Sequence, residues 1–260
     1  MMNVFEDLQY GPQPEQKLDI YLPEGHCNVF LVWFHGGSLK FGSRKDIRFH
    51  EDLMEHGIGI ASVEYRMYPD AAFPVFVEDA ALSVRWLMDN LKQYTDCERI
   101  YVSGQSAGAW LTLMLAFDEH YLRDAGVDRE KIAGFISDSA QITSHFSVLR
   151  ERGMDYRLER IDDAAPIYFL TEQSGVSNLL LIAYEEDIPC RPEQNKLMYK
   201  SIQRICPHIP VELKMLPGGH CSGSSGRNEK GTFAFNDALL DYLKVWTSGT
   251  EYDRAIWCMR

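Results

Sequence analysis

Ser106 stands in Gly104-Gln105-Ser106-Ala107-Gly108, a GxSxG pattern that follows the short apolar run Ile100-Tyr101-Val102-Ser103 and precedes a helix-like run from Ala109 to Leu115. Strand before and helix after are what a nucleophile elbow requires: the chain turns so tightly that the hydroxyl is lifted into the open, and a side chain at either flanking position would clash. A hydroxyl held there can attack a carbonyl carbon. The helix amino end brings N–H groups and partial positive charge to the oxygen that turns negative. A second source of donors is His35-Gly36-Gly37-Ser38, directly after the apolar run ending at Phe34. Its glycines permit close backbone approach and positive φ. The N–H groups of Gly37, Ser38 and Ala107 are the expected oxyanion donors, and losing one donor of this kind costs about 3 kcal/mol. His35 itself reads as a hydrogen-bonding buttress of the loop.

A serine hydroxyl is a poor nucleophile near neutral pH. It needs a base, and the base needs an orienting carboxylate. With an elbow of this kind the expected chain order is serine, acid, histidine. Four histidines follow Ser106: His120, His145, His208 and His220. His220 follows the last strand-like run through Pro217-Gly218-Gly219, a loop that can carry an imidazole back over the serine. His120 ends a helix and reads as solvated, His208 lies at the wrong end of a strand, and His145 falls in an irregular segment where it could touch substrate. For the acid, the apolar run from Leu179 ends in Glu185, Glu186 and Asp187. Asp187, just before Ile188-Pro189, is favoured over Glu185 and Glu186. Asp138, after another strand-like run, is a weaker choice.

Such residues need a scaffold that gathers them. Strand-like runs fall at 17–22, 29–34, 59–64, 99–103, 132–137, 178–183 and 211–216, and helix-like ones at 45–56, 73–94, 106–117, 191–206 and 232–246. Several strands, Val29 to Phe34 above all, are apolar on both faces, as strands covered on both sides are. In the second helix Val77, Ala80, Ala81, Val84, Leu87, Met88 and Leu91 form one apolar stripe. The alternation predicts an α/β fold: a mostly parallel central sheet with helices on both faces. Residues 145–169, charged and irregular, read as a small lid insertion within a single domain over 1–260.

The chain has 26 Lys and Arg against 38 Asp and Glu, a net charge of −12. Nucleic acid is bound through clustered cations, so neither it nor an anionic membrane surface is an expected partner. The six cysteines show no zinc spacing and read as free thiols of a reducing compartment. The first residues carry Glu6 and Asp7 and lack the basic and apolar regions of a leader, and no apolar run nears the roughly 20 residues that span a bilayer. The expected location is the cytoplasm.

Taken in order, His35-Gly36-Gly37-Ser38, Glu64-Tyr65-Arg66-Met67-Tyr68-Pro69-Asp70, Phe73-Pro74, Glu78-Asp79, the Ser106 pentapeptide, Glu186-Asp187 and Gly219-His220 resemble the α/β-hydrolase serine esterases, in particular the hormone-sensitive-lipase, kynurenine-formamidase and small carbohydrate-esterase group. The resemblance covers about residues 17 to 246. It implies the α/β-hydrolase fold, a Ser106–His220–Asp187 triad, an acyl-enzyme intermediate and no cofactor or metal. It also implies a small-molecule ester as substrate, with short-chain acyl esters, including acetyl or feruloyl esters of plant carbohydrates, foremost. Two departures stand out. Leu39 occupies a position where the group often has tryptophan, which implies a reshaped pocket, and the amino-terminal cap is short, which implies an open site. The segment 221–227 is rich in Gly and Ser, so the His220 loop is expected to be mobile. An aryl formamidase acting on N-formylkynurenine would use the same triad. A non-catalytic binding protein on the same scaffold would usually lack a triad member. A peptidase is disfavoured, since no propeller or extended binding domain is seen. Homo-oligomerisation is left open.

Overall fold

Val29 to Phe34 offers no polar side chain to either face of a sheet, and all six residues are buried. Phe30, Val32 and Phe34 enter one core, and Val29, Leu31 and Trp33 enter a second core on the opposite face. This run is the centre of a computed structural model that describes residues 3–244. The strands are β1 (Asn3–Gln9), β2 (Lys17–Leu22), β3 (Val29–Phe34), β4 (Ile58–Val63), β5 (Ile100–Gln105), β6 (Ile132–Asp138), β7 (Leu179–Glu186) and β8 (Val211–Gly219). The helices are α1 (His50–Met54), α2 (Val75–Asn90), α3 (Ala107–Phe117), α4 (Glu119–Asp124), α5 (Phe146–Glu151), α6 (Arg191–Ile205), α7 (Ser222–Ser225) and α8 (Ala234–Leu243).

One eight-stranded sheet runs in the order β1-β2-β4-β3-β5-β6-β7-β8. The first two pairings are antiparallel and the rest are parallel. One face buries the apolar sides of α2 and α3 with Met198 and Ile202 of α6, and the other buries residues of α1 and α8. Parallel strands share one carboxyl edge, where α/β sheets place their ligands. The expected site residues all follow strands at that edge: Gly37 and Ser38 after β3, Ser106 after β5, Asp187 after β7 and His220 after β8.

Among the elements that differ from the pattern reading, four stand out. β1 is an almost wholly exposed edge strand, so it has no apolar stripe to betray it. The helix expected at 45–56 breaks in two. Arg44–Asp46 is a 3₁₀ turn capped by Ser43, Ile47 and Phe49 then sink into the second core, and only His50–Met54 is α-helical. The Gly/Ser-rich stretch after His220, expected to be loose, forms α7 with Gly223 and Ser224 buried. The last helix is described only to Leu243 and begins at Ala234, and residues 245–246 lie outside the described residues. Within 145–169, the Trp110 indole N–H donates to the Ala164 carbonyl at 3.1 Å, and Asp162 accepts from the Ser144 hydroxyl and from Arg152 and Arg160. That segment is thereby fastened to α3. Among the described residues no helix is long and apolar enough to cross a membrane.

Candidate active site

Ser106 sits at φ 53°, ψ −112° between β5 and α3, a sparsely populated conformation for any residue but glycine. Its surroundings hold it there. Its N–H donates to the Asp138 carbonyl at 2.8 Å, and its carbonyl accepts the Trp110 N–H at 3.0 Å. The glycine requirement is steric: a Cβ on Gly104 would lie 2.5 Å from the Gly108 carbonyl, and one on Gly108 would lie 2.0 Å from the Phe34 carbonyl oxygen. Gly108 therefore presses the elbow against the end of β3, from which the His35 loop departs.

The structure brings Ser106, His220 and Asp187 together. His220 Nε2 lies 2.8 Å from Ser106 Oγ, and His220 Nδ1 lies 2.6 Å from Asp187 Oδ1. The Asp187 side chain is fully buried, whereas about a quarter of the imidazole is exposed. Burial would raise the Asp187 pKa. Hydrogen bonds from His220 and Ser139, the positive side of the imidazole and the Ile188 N–H at 2.7 Å more than reverse this, so the carboxyl titrates below its ordinary range. Glu185 and Glu186, the competing carboxylates, are exposed.

On the other side of Ser106, Gly37 takes φ +114° and Ser38 φ +60°. A Cβ on Gly36 would stand 3.3 Å from Ser106 Cβ, which brings this loop against the nucleophile. A Cβ on Gly37 would collide with the Phe41 carbonyl oxygen at 1.7 Å. Ala107 opens α3, where an N–H has no partner one turn earlier in the helix. His35 braces the loop. Its ring bridges the Gly36 carbonyl at 2.6 Å and Glu64 at 3.2 Å and stacks on Tyr65, whose hydroxyl donates to the His35 carbonyl at 2.9 Å. The Ser147 hydroxyl ties the Ser38 carbonyl to α5 at 2.7 Å. Burial would raise the Glu64 pKa, but bonds from His35, the Arg44 N–H and the Ser43 hydroxyl hold it low.

The remaining candidates lie apart from this arrangement. His145 is buried, stacked on Phe146 and accepting from the Ser147 N–H, and burial drives its pKa well down. His120 pairs with Asp118, and His208 bonds the Ser174 carbonyl. Asp138, the weaker choice of acid, forms no hydrogen bond with His220 among the described residues and accepts the Ser224 hydroxyl at 2.6 Å. The sequence reading missed Ser139, whose hydroxyl donates to Asp187 Oδ2 and lies 3.0 Å from His220 Nδ1. Nothing in its local pattern marks it except its place one residue beyond a strand at the carboxyl edge. Among the described residues no cluster of His, Cys, Asp and Glu is arranged to hold a metal ion.

The BD-FAE family model matches residues 18–196. A probable isoprenylcysteine alpha-carbonyl methylesterase of Oryza sativa subsp. japonica is 34% identical over 110 residues, covering 41% of this chain and 26% of that protein. The kynurenine formamidase of Danio rerio is 30% identical over 112 residues, covering 42% of this chain and 37% of that protein. The matches thus span only a quarter to somewhat over a third of those proteins. Among solved structures, esterase B from Lactobacillus Rhamnosis superposes with a TM-score of 0.75 at 19% identity, over 94% of this chain and 85% of that one. This likeness shows the α/β-hydrolase fold that the sequence resemblance implied.

Proposed function

The chain belongs to the BD-FAE family, and from that premise and the geometry around Ser106 we propose that it is a serine carboxylesterase. One observation carries the reading: a hydroxyl raised on a strained turn, 2.8 Å from an imidazole nitrogen whose other nitrogen is 2.6 Å from a buried carboxylate. Ser106 Oγ attacks the ester carbonyl carbon as its proton passes to His220 Nε2. Negative charge moves to the carbonyl oxygen, where the N–H groups of Gly37, Ser38 and Ala107 receive it. As the intermediate collapses, His220 returns the proton to the departing alcohol and an acyl-Ser106 ester remains. A water molecule, deprotonated by the same nitrogen, releases the acid and restores the serine. Asp187 holds the imidazole in the tautomer with Nδ1–H and balances its charge once it is protonated. In this reading the substrate is a small ester, and the reaction needs no nucleic acid, membrane or cofactor.

Short-chain acyl esters, among them acetyl or feruloyl esters of plant carbohydrates, are the proposed substrates. The similarity to a kynurenine formamidase favours a second reading, formamide hydrolysis by the same residues. Turnover of p-nitrophenyl esters of increasing chain length beside acetyl-xylan, methyl ferulate, an isoprenylcysteine methyl ester and N-formylkynurenine separates the two. A fluorophosphonate probe tests the nucleophile. Labelling of the native chain and none of Ser106→Ala is expected; equal labelling of both refutes the assignment.

A further inference from the structure

Asp187 has two carboxylate oxygens, and the proposed mechanism occupies only one. Oδ1 receives His220 Nδ1 at 2.6 Å and the Ile188 N–H at 2.7 Å. Oδ2 receives the hydroxyl of Ser139. The same hydroxyl oxygen stands 3.0 Å from His220 Nδ1, so one side chain touches both acid and base. The backbone of Ser139 is fixed for this contact. It takes the left-handed conformation at φ 62°, its N–H donates to the Ile182 carbonyl at 2.8 Å, and its carbonyl accepts Arg191 Nη1 at 2.6 Å. Arg191 is buried and, among the described residues, forms no ion pair, so this carbonyl is the acceptor that holds its guanidinium.

We propose that Ser139 is a positioning residue for the reaction: it fixes the plane of the Asp187 carboxylate in line with His220 and moderates its charge. This rests on the serine-esterase reading of the site. A carboxylate held through one oxygen can rotate about its Cβ–Cγ bond and swing out of line with the imidazole; held through both, it cannot. Donation into Oδ2 also withdraws negative charge from the group that faces the imidazole. Without it, Asp187 grips the protonated His220 more tightly and the base gives up its proton less readily. The other charged or titratable groups around the pair are Asp138 at the end of β6, Cys221 next in the chain, Arg191 at the start of α6 and Glu159 beyond it. Of these, Cys221 hydrogen-bonds the Ser139 side chain and Arg191 only the Ser139 carbonyl, so removing the hydroxyl takes a contact from Cys221 and leaves that of Arg191 in place.

Two variants remove the hydroxyl, Ser139→Ala and Ser139→Gly; the second also relieves the left-handed backbone. Both are expected to lose about tenfold in kcat, some 1.4 kcal/mol of barrier, with KM near its native value. In both, the acid limb of the kcat/KM profile and the His220 titration followed by NMR should move to higher pH by roughly half a unit. Ser139→Cys, which keeps a weak donor, should recover part of both effects. Native kcat with an unmoved His220 titration overturns the proposal. So does a fall in kcat that merely tracks a lower unfolding midpoint while the titration stays in place. If the native chain itself neither turns over esters nor takes the fluorophosphonate probe, the esterase reading falls. The His220 titration still decides whether Ser139 holds the pair.

Discussion

Asp138 is a carboxyl with no exposed surface, placed one peptide from Ser139 and two strands from the edge of the sheet. Burial pushes its pKa up to about 6, against the hydrogen bonds from Ser224 and Tyr184 that draw it down. The ordinary carboxylate value is about 3.9, so the folded chain holds this proton about two units longer than the unfolded chain does. At about 1.36 kcal/mol per unit, that is a penalty near 3 kcal/mol once the group is ionised. The sign follows from proton uptake. Below pH 4 the acid is neutral in both states and costs nothing. Between about pH 4 and 6 only the unfolded chain gives up its proton, and stability drains away; above pH 6 the loss is complete. Asp138→Asn is isosteric, can still accept from Ser224, and carries no charge. The stability difference between Asp138→Asn and the native chain should therefore move by about 2 kcal/mol in favour of the variant from pH 4, where the unfolded group is already half ionised, to pH 7.5. Urea unfolding at both pH values measures it. The difference between chains is the quantity to compare, because Asp187, with its lowered pKa, works in the opposite direction in both. A difference equal at the two pH values would show that the buried carboxyl carries no charge penalty, and the reasoning from burial would be refuted.

Other consequences can be checked alongside. Ser106→Ala and His220→Ala should each lower kcat by at least about a thousandfold on any ester the native chain cleaves, because the three groups act as one unit; retained turnover in either would remove that residue from the mechanism. Asp187→Asn should slow both turnover and fluorophosphonate labelling by about a thousandfold or more while leaving the fold intact, since an amide favours the wrong imidazole tautomer. Circular dichroism together with the labelling rate tests this. Gly108→Ala places a methyl 2.0 Å from the Phe34 carbonyl oxygen, an overlap with backbone that cannot rotate away. It should cost about 1–3 kcal/mol or more, seen as a lowered unfolding midpoint, with activity lost beyond what the residual folded fraction explains.

Much of this was legible because the buried strands spell themselves out. Val29 to Phe34 and Leu179 to Ala183 have no polar residue to place on a wet face, and the structure buries every one of them. The elbow was legible because its glycines answer to close backbone contacts that hold whatever surrounds them. β1 was not legible, since an edge strand exposed along its length has no periodicity to follow. The stretch 44–56 has helical spacing, yet Arg44 and Lys45 are drawn to Asp19 across the sheet, while Ile47 and Phe49 are drawn into the core. These tertiary attractions outweigh local propensity. Ser139, Ser224 and Arg191 were hidden for a different reason. A hydroxyl or guanidinium gains its role from partners 48 to 86 positions away in the chain, and only the crossing of the strands brings them near.

The two halves of the site hang from different parts of the sheet. Ser106 and the His35 loop leave β5 and β3, at its middle, whereas Asp187 and His220 leave β7 and β8, and β8 is the edge strand on that side and only partly covered. Local opening starts where the least surface is buried. Gentle warming should therefore fray the rim proposed to shuttle the proton before it disturbs the pocket proposed to cradle charge. Hydrolysis would fade several degrees ahead of global melting, in a molecule whose central strands still stand.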